Sequence, residues 1–146
     1  MQKSNLDHLV VYADGGCLNN GNANGSGVIS CYGSFLVEAV DTAGTSSVGK
    51  HEKLDFPQLR TVNEAEYSAF IATLKYLNGL MARIGKQVPT VIYIDSRLVY
   101  TQVTGKANCK APNLLDFHAT AQALVDACTY DLHWIDGKQM KAVLGH

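Results

Sequence analysis

The chain has 146 residues, 47% of them apolar, and a net charge of −1 with its five histidines neutral. That length and apolar content suit one domain, residues 1–146, with a sizeable core. The 17% charged fraction excludes a disordered chain, the lack of any apolar run of about 18 residues excludes a membrane-spanning helix, and the near-neutral charge excludes tight binding through many phosphate contacts.

The N-terminal stretch ends its short apolar run in Asp14, which reads as a strand rather than a signal peptide and predicts a cytoplasmic protein. Leu9–Ala13 is that strand, closed by the turn residues Asp14-Gly15-Gly16. Asn19–Gly25 reads as a Gly/Asn loop, and Gly27–Tyr32 and Ser34–Val40 as two strands joined by a tight turn at Gly33. Residues 41–60 are polar and carry Gly44, Gly49 and Pro57, which predicts a long loop. Tyr67, Phe70, Ile71, Leu74, Leu77 and Met81 recur at helical spacing, with Thr61 or Asn63 available as the cap. Thr90–Ile94 is a second strand ended by an aspartate, Asp95. Arg97–Val103 predicts a short helix and Asn113–Cys128 a longer one. Tyr130–Ile135 alternates like a half-buried strand, and Lys138–Leu144 predicts a last short helix. A meander followed by βαβ crossovers gives an α/β fold with helices packed on a mixed sheet.

The four cysteines, at 17, 31, 109 and 128, form no C-x-x-C pair and no zinc-site spacing. They read as reduced thiols, and Cys17 as either a groove residue or a small buried thiol.

Asp14 and Asp95 each close an apolar strand, and the helical crossover between those strands allows them to lie parallel and adjacent. Ligands of open α/β sheets gather at the carboxyl ends of the strands. Neighbouring strands lie ~4.8 Å apart, so the two carboxylates face one small volume and repel unless a cation sits between them. Glu66, in the first turn of the long helix beside its apolar stripe, can add a third carboxylate. Glu64 is the competitor, but helical spacing turns it about 200° away. Each signal has a bland reading: Asp-Gly a turn, Asp95-Ser96 a helix cap, a first-turn glutamate a partner of the helix dipole. The combination, in this order, points to a metal-binding acidic site.

These segments, V-V-Y-A-D-G-G-C at 10–17, T-V-N-E-A-E-Y at 61–67, I-D-S-R-L-V at 94–99 and Q-V-T-G at 102–105, with Trp134 closing the last strand, resemble type 1 ribonuclease H in its short archaeal, bacterial and phage forms. The resemblance runs from residue 8 to about residue 144. It implies a ribonuclease H-like fold with a five-stranded mixed sheet of order 3-2-1-4-5 and helices on its faces. It implies a monomer that cleaves the RNA strand of an RNA–DNA hybrid with two Mg²⁺ ions, or Mn²⁺, held by Asp14, Glu66 and Asp95. Products would end in a 3′-hydroxyl and a 5′-phosphate. Thr61 would contact a DNA phosphate, Asn63 and the backbone near Gly15, Gly16 and Cys17 would read 2′-hydroxyls, and Ser96 and Arg97 would lie along the substrate backbone.

The sequence departs from the family in one place that matters. A fourth carboxylate, expected in the last helix in an N-x-x-A-D setting, is missing from I-D-G-K-Q-M-K-A-V-L-G-H. His146 is the candidate replacement as proton carrier or ligand, and Asp136 its rival. No separate hybrid-binding domain or long basic segment is present, which predicts modest, salt-sensitive affinity. A DNA nuclease of the same fold and a non-catalytic nucleic-acid-binding domain are the competing functions. Trp134 reads as packing at the sheet edge, Lys106, Lys110, Lys138 and Lys141 as scattered surface charge, and His51 as a loop residue without a role.

Overall fold

The order of the strands follows from where their apolar faces can be buried. In the computed structural model, which describes residues 5–18 and 30–145, the elements are β1 (Leu6–Leu18), β2 (Ser30–Asp41), β3 (Ser46–Phe56), α1 (Val62–Ile84), β4 (Thr90–Ile94), α2 (Arg97–Val103), a 3-10 turn at Pro112–Leu114, α3 (Leu115–Asp126), β5 (Asp131–Trp134) and α4 (Gly137–Leu144). The five strands form one sheet in the order β3-β2-β1-β4-β5. β1–β2 and β2–β3 are antiparallel, while β1–β4 and β4–β5 are parallel. This is the expected order.

Leu9, Val11 and Ala13 of β1 and Phe35, Val37 and Ala39 of β2 point to one face, where Tyr67, Phe70, Leu74 and Leu77 of α1 cover them. Alternation along β1 leaves Val10, Tyr12 and Asp14 on the other face. There Met140 and Leu144 of α4 are buried outside the core cluster that lies beneath α1.

Helix α1 starts where Thr61 accepts a bond from the Glu64 amide and Glu64 bonds back to the Thr61 amide, a capping box. It stops at Gly85, whose φ of 82° bends the chain back so that its amide meets the Met81 carbonyl. The Q-V-T-G segment also has a structural purpose. Gln102 is buried and accepts a hydrogen bond from the Tyr67 hydroxyl, tying α2 to α1.

Two strand expectations are corrected. Gly33 is not a turn; it lies inside the continuous strand β2, paired with Gly15 on one side and Leu54 on the other. A side chain there would meet Ala69 Cβ and Phe56 Cε2 at 2.9 Å, so the glycine lets α1 pack close to the sheet. Most of the 41–60 segment is the edge strand β3 rather than a loop. Its hairpin turns at Gly44 (φ 84°) and is fastened by the Asp41 carboxylate accepting from the Ala43 and Thr45 amides. The register slips between Val37 and Glu38, opposite Gly49, which marks a bulge. His51 is therefore an exposed strand residue beside Leu36. The Asn19–Gly25 loop and the first half of the Gly27–Tyr32 strand lie outside the described residues.

The cysteine expectation is corrected as well. Cys17 and Cys31 face each other across β1 and β2, their Cα atoms 3.9 Å apart, and form a disulfide. Their pairing depends on strand register, which spacing along the chain does not reveal. Cys109 and Cys128 remain free thiols.

Candidate active site

The parallel pairing of β1 with β4 sets Ala13 opposite Ile94, so the following residues, Asp14 and Asp95, emerge side by side at the carboxyl end of the sheet. Glu66 arrives from the first turns of α1, and its position depends on Gly15. A Cβ on Gly15 would lie 2.4 Å from the Ala65 carbonyl oxygen and 2.8 Å from the Glu66 amide. Only glycine lets the helix start press against β1. One carboxylate oxygen from each of Asp14, Glu66 and Asp95 then falls within 4.8 Å of the others.

Three carboxylates in so small a volume cannot all be charged without a cation. Burial first, then the charges of Asp14 and Asp95, pushes Glu66 up to about 10. Burial first, then the hydrogen bond and charge of Asp14, pushes Asp95 up to about 7. Among the described residues, Asp95 Oδ1 is buried without a hydrogen-bond partner. A set of hard oxygen donors with one orphaned oxygen fits a hard divalent cation. Protons on Glu66 and Asp95 do the cation's neutralising work otherwise.

Glu64 is not part of this group. Its carboxylate accepts from the Arg60 and Thr61 amides and from the Asn113 side chain, and these bonds hold its pKa below the usual value against the opposing effect of burial. Helical spacing separates Glu66 from Glu64 as expected.

The other predicted residues have the following places in the fold. Thr61 caps α1, and Asn63 is exposed in its first turn. Ser96 caps α2 by accepting from the Val99 amide. Gly16 lies under the Tyr32 hydroxyl, 2.7 Å from where its Cβ would be. Cys17 is bound to Cys31 and is no free thiol at the groove. Arg97 lies over the ring of Trp134, 4.6 Å from guanidinium carbon to centroid. Lys106 is folded over the Tyr100 ring and bonded to its hydroxyl.

Of the two candidates for the missing fourth carboxylate, Asp136 is not among the described acidic residues that converge. Asp136 is the N-cap of α4; its carboxylate accepts from the Gln139 amide at 2.8 Å, and Gln139 bonds back. His146 lies outside the described residues. The sheet-facing side of α4 is Met140 and Leu144, and its first residue, Gly137, would place a Cβ 3.7 Å from Asp95 Oδ2.

Two residues near the cluster were missed. Tyr32 shares the sheet face of Asp14, and its phenol is pushed up by burial and then by Asp14, Glu66 and Asp95. Its place is set by the continuous strand over 30–41 and its antiparallel register with β1, which the sequence reading broke at Gly33. Trp134 is not core packing. It is 37% exposed and its indole N–H donates to the Asp95 carbonyl at 3.0 Å.

The sequence matches no protein-family model, and no curated protein is similar to it by sequence. Solved structures are similar in fold. The N-terminal RNase H domain of a Mycobacterium tuberculosis protein, fused to maltose-binding protein, superposes with a TM-score of 0.72 at 24% identity, over 92% of this chain and 86% of that one. LC11-RNase H1 in complex with an RNA/DNA hybrid gives 0.73 at 18% identity, over 92% and 89%. RNase H1 of Halobacterium salinarum gives 0.66 at 21%, over 92% and 89%. The strand order, the crossovers and this likeness over most of the chain establish that it has the ribonuclease H-like fold.

Proposed function

We propose that this chain is an endoribonuclease that hydrolyses the RNA strand of RNA–DNA hybrids with two Mg²⁺ or Mn²⁺ ions, leaving a 3′-hydroxyl and a 5′-phosphate. The observation that carries this reading is the convergence of Asp14, Glu66 and Asp95 with a buried, unpartnered Asp95 oxygen on this fold. It is supported by LC11-RNase H1, a protein of the same fold solved with an RNA/DNA hybrid.

Divalent ions, when bound, supply the charge that activates water and stabilises the leaving oxygen. The chain's own residues do the rest. Asp14, Glu66 and Asp95 would hold the ions through their converging carboxylate oxygens. Gly15 keeps Glu66 at the cluster by letting α1 approach β1. Thr61 caps the start of α1 by accepting a bond from the Glu64 amide, at the positive end of the helix where a phosphate would be favoured. Asn63, exposed in the same turn, offers an amide to a 2′-hydroxyl or base edge.

The test is cleavage of matched hybrid, double-stranded DNA and double-stranded RNA with Mg²⁺ and with Mn²⁺. Hybrid alone should be cut, only with metal, and Asp95→Asn should lose at least about 100-fold in rate while remaining folded. Equal cutting of DNA, or full activity in Asp95→Asn, would overturn the reading.

A further inference from the structure

Trp134 connects two groups that the chemistry needs held still. It is the last residue of β5, paired with Ile94, so its side chain lies beside the strand end that carries Asp95. Its indole N–H donates to the Asp95 main-chain carbonyl. The face of the same ring carries the guanidinium of Arg97, two residues after Asp95. Arg97 is exposed, and among the described residues its guanidinium meets no carboxylate and no hydrogen-bond acceptor. A guanidinium stacked on an aromatic face keeps its in-plane N–H groups free, the arrangement that suits a phosphate. The ring also removes much of the rotamer freedom that a long exposed side chain would otherwise lose on binding.

We propose that Trp134 is a positioning residue for the hybrid nuclease reaction, its ring holding Arg97 ready for a substrate phosphodiester while its indole N–H fixes the main chain of Asp95. The inference rests on the hydrolytic reading above for its substrate. It assigns the two edges of one side chain to two separable effects. The ring face serves substrate affinity and its salt dependence; the N–H serves the placement of a carboxylate and therefore turnover.

The separation makes the idea testable with three variants. Trp134→Phe keeps an aromatic face and loses the N–H. Trp134→Leu loses both. Arg97→Gln removes the cation and leaves Trp134 in place. Binding of a short hybrid duplex is measured by fluorescence anisotropy over a range of salt concentrations, beside cleavage rates and thermal melts. Arg97→Gln should lower the slope of log affinity against log salt by about 0.7–0.9, the value for one phosphate contact. Trp134→Leu should lose the same slope and lose kcat as well. Trp134→Phe should keep the parent's slope and lose kcat. In the double variant Arg97→Gln with Trp134→Leu the slope should fall no further than in either single one.

If Trp134→Leu is folded and keeps the parent's slope while Arg97→Gln loses it, Trp134 does not position Arg97. An unchanged slope in Arg97→Gln removes the phosphate contact, and unchanged kcat in Trp134→Phe removes the link to Asp95. Should Trp134→Leu fail to fold, Trp134→Phe and Arg97→Gln still decide both halves. A parent that binds hybrid with this slope pattern but does not cut it sinks the catalytic reading and leaves the Arg97 clamp standing. A parent that does not bind hybrid overturns both.

Discussion

Gly15→Ala tests how the site is assembled, because the added methyl is aimed at backbone and not at a flexible side chain. Its Cβ would sit 2.4 Å from the Ala65 carbonyl oxygen, 2.5 Å from that carbonyl carbon and 2.8 Å from the Glu66 amide nitrogen. Relieving the overlap needs a displacement of roughly 1 Å between β1 and the first turn of α1, an overpacking that typically costs about 1–3 kcal/mol. For a chain of this size that is a fall in Tm of about 3–12 °C. The larger effect falls on chemistry. Glu66 moves with the helix start, and a misplacement of about 1 Å typically costs on the order of 100-fold in rate. The assay is hybrid cleavage at saturating substrate, together with thermal melts with and without Mg²⁺. Stabilisation by the metal should shrink, because three ligands no longer converge. Gly44→Ala is the control: Gly44 also needs glycine (φ 84°), but nothing lies near its Cβ and it is in the β2–β3 turn. It should cost stability and leave kcat alone. If Gly15→Ala keeps its rate within about two-fold and its metal response, then Glu66 is not held in place by this contact.

Three other outcomes follow from the same geometry. Glu66 and Asp95 are held up to about 10 and about 7, above unfolded values of about 4.3 and 3.9, so the folded metal-free chain binds more protons than the unfolded one and loses stability as pH rises through that window. Its Tm should fall from pH 5 to pH 9 and the gain from Mg²⁺ should be larger at pH 8 than at pH 5; a metal-free Tm that rises with pH contradicts the clustering. The Cys17–Cys31 bond closes a loop with a sequence separation of 14, worth about 3 kcal/mol, so a phosphine reductant should lower the Tm of the parent and not of Cys17→Ser, and coincident melts of the parent would show that the bond does not form. Asp136→Ala should cost about 1 kcal/mol as a lost helix cap with metal affinity unchanged, whereas a large loss of metal binding would make Asp136 a ligand after all.

The elements read correctly from sequence are those whose signals are local. Helix α1 announces itself by its spacing and by Thr61 and Glu64, and α2 matches its predicted span of Arg97–Val103 because Ser96 caps it and Gly105 follows it. The errors come where long-range pairing overrides local chemistry. Gly33 looks like a turn because glycine usually is one; here its missing side chain is demanded by Ala69 and Phe56, residues far along the chain. The polar segment 41–60 looks like a loop because its residues 51, 53 and 55 are His, Lys and Asp. They face solvent on an edge strand, while Leu54 and Phe56 turn toward the helices. Exposed charge on an edge strand discourages pairing with other chains, and it erases the alternation that would have revealed the strand.

The site shows the same division. Asp14, Asp95 and the choice of Glu66 over Glu64 need only strand ends and helical angles, both properties of a few consecutive residues. Tyr32, Trp134 and the Cys17–Cys31 bond need the register between strands, which no single segment encodes. The last helix extends the point. A family resemblance places a fourth carboxylate about ten residues past Trp134, but α4 begins almost at once after β5 because Asp136 and Gln139 cap it there. That early start aims Gly137 at Asp95 and turns Met140 and Leu144 onto the sheet. An acid set at the family's distance would fall on Leu144, 6% exposed, where a charge would be desolvated without a partner. Restoring a fourth ligand by Leu144→Asp should destabilise the chain without raising its metal affinity, whereas Gly137→Asp would introduce an acid at the α4 residue that lies against Asp95.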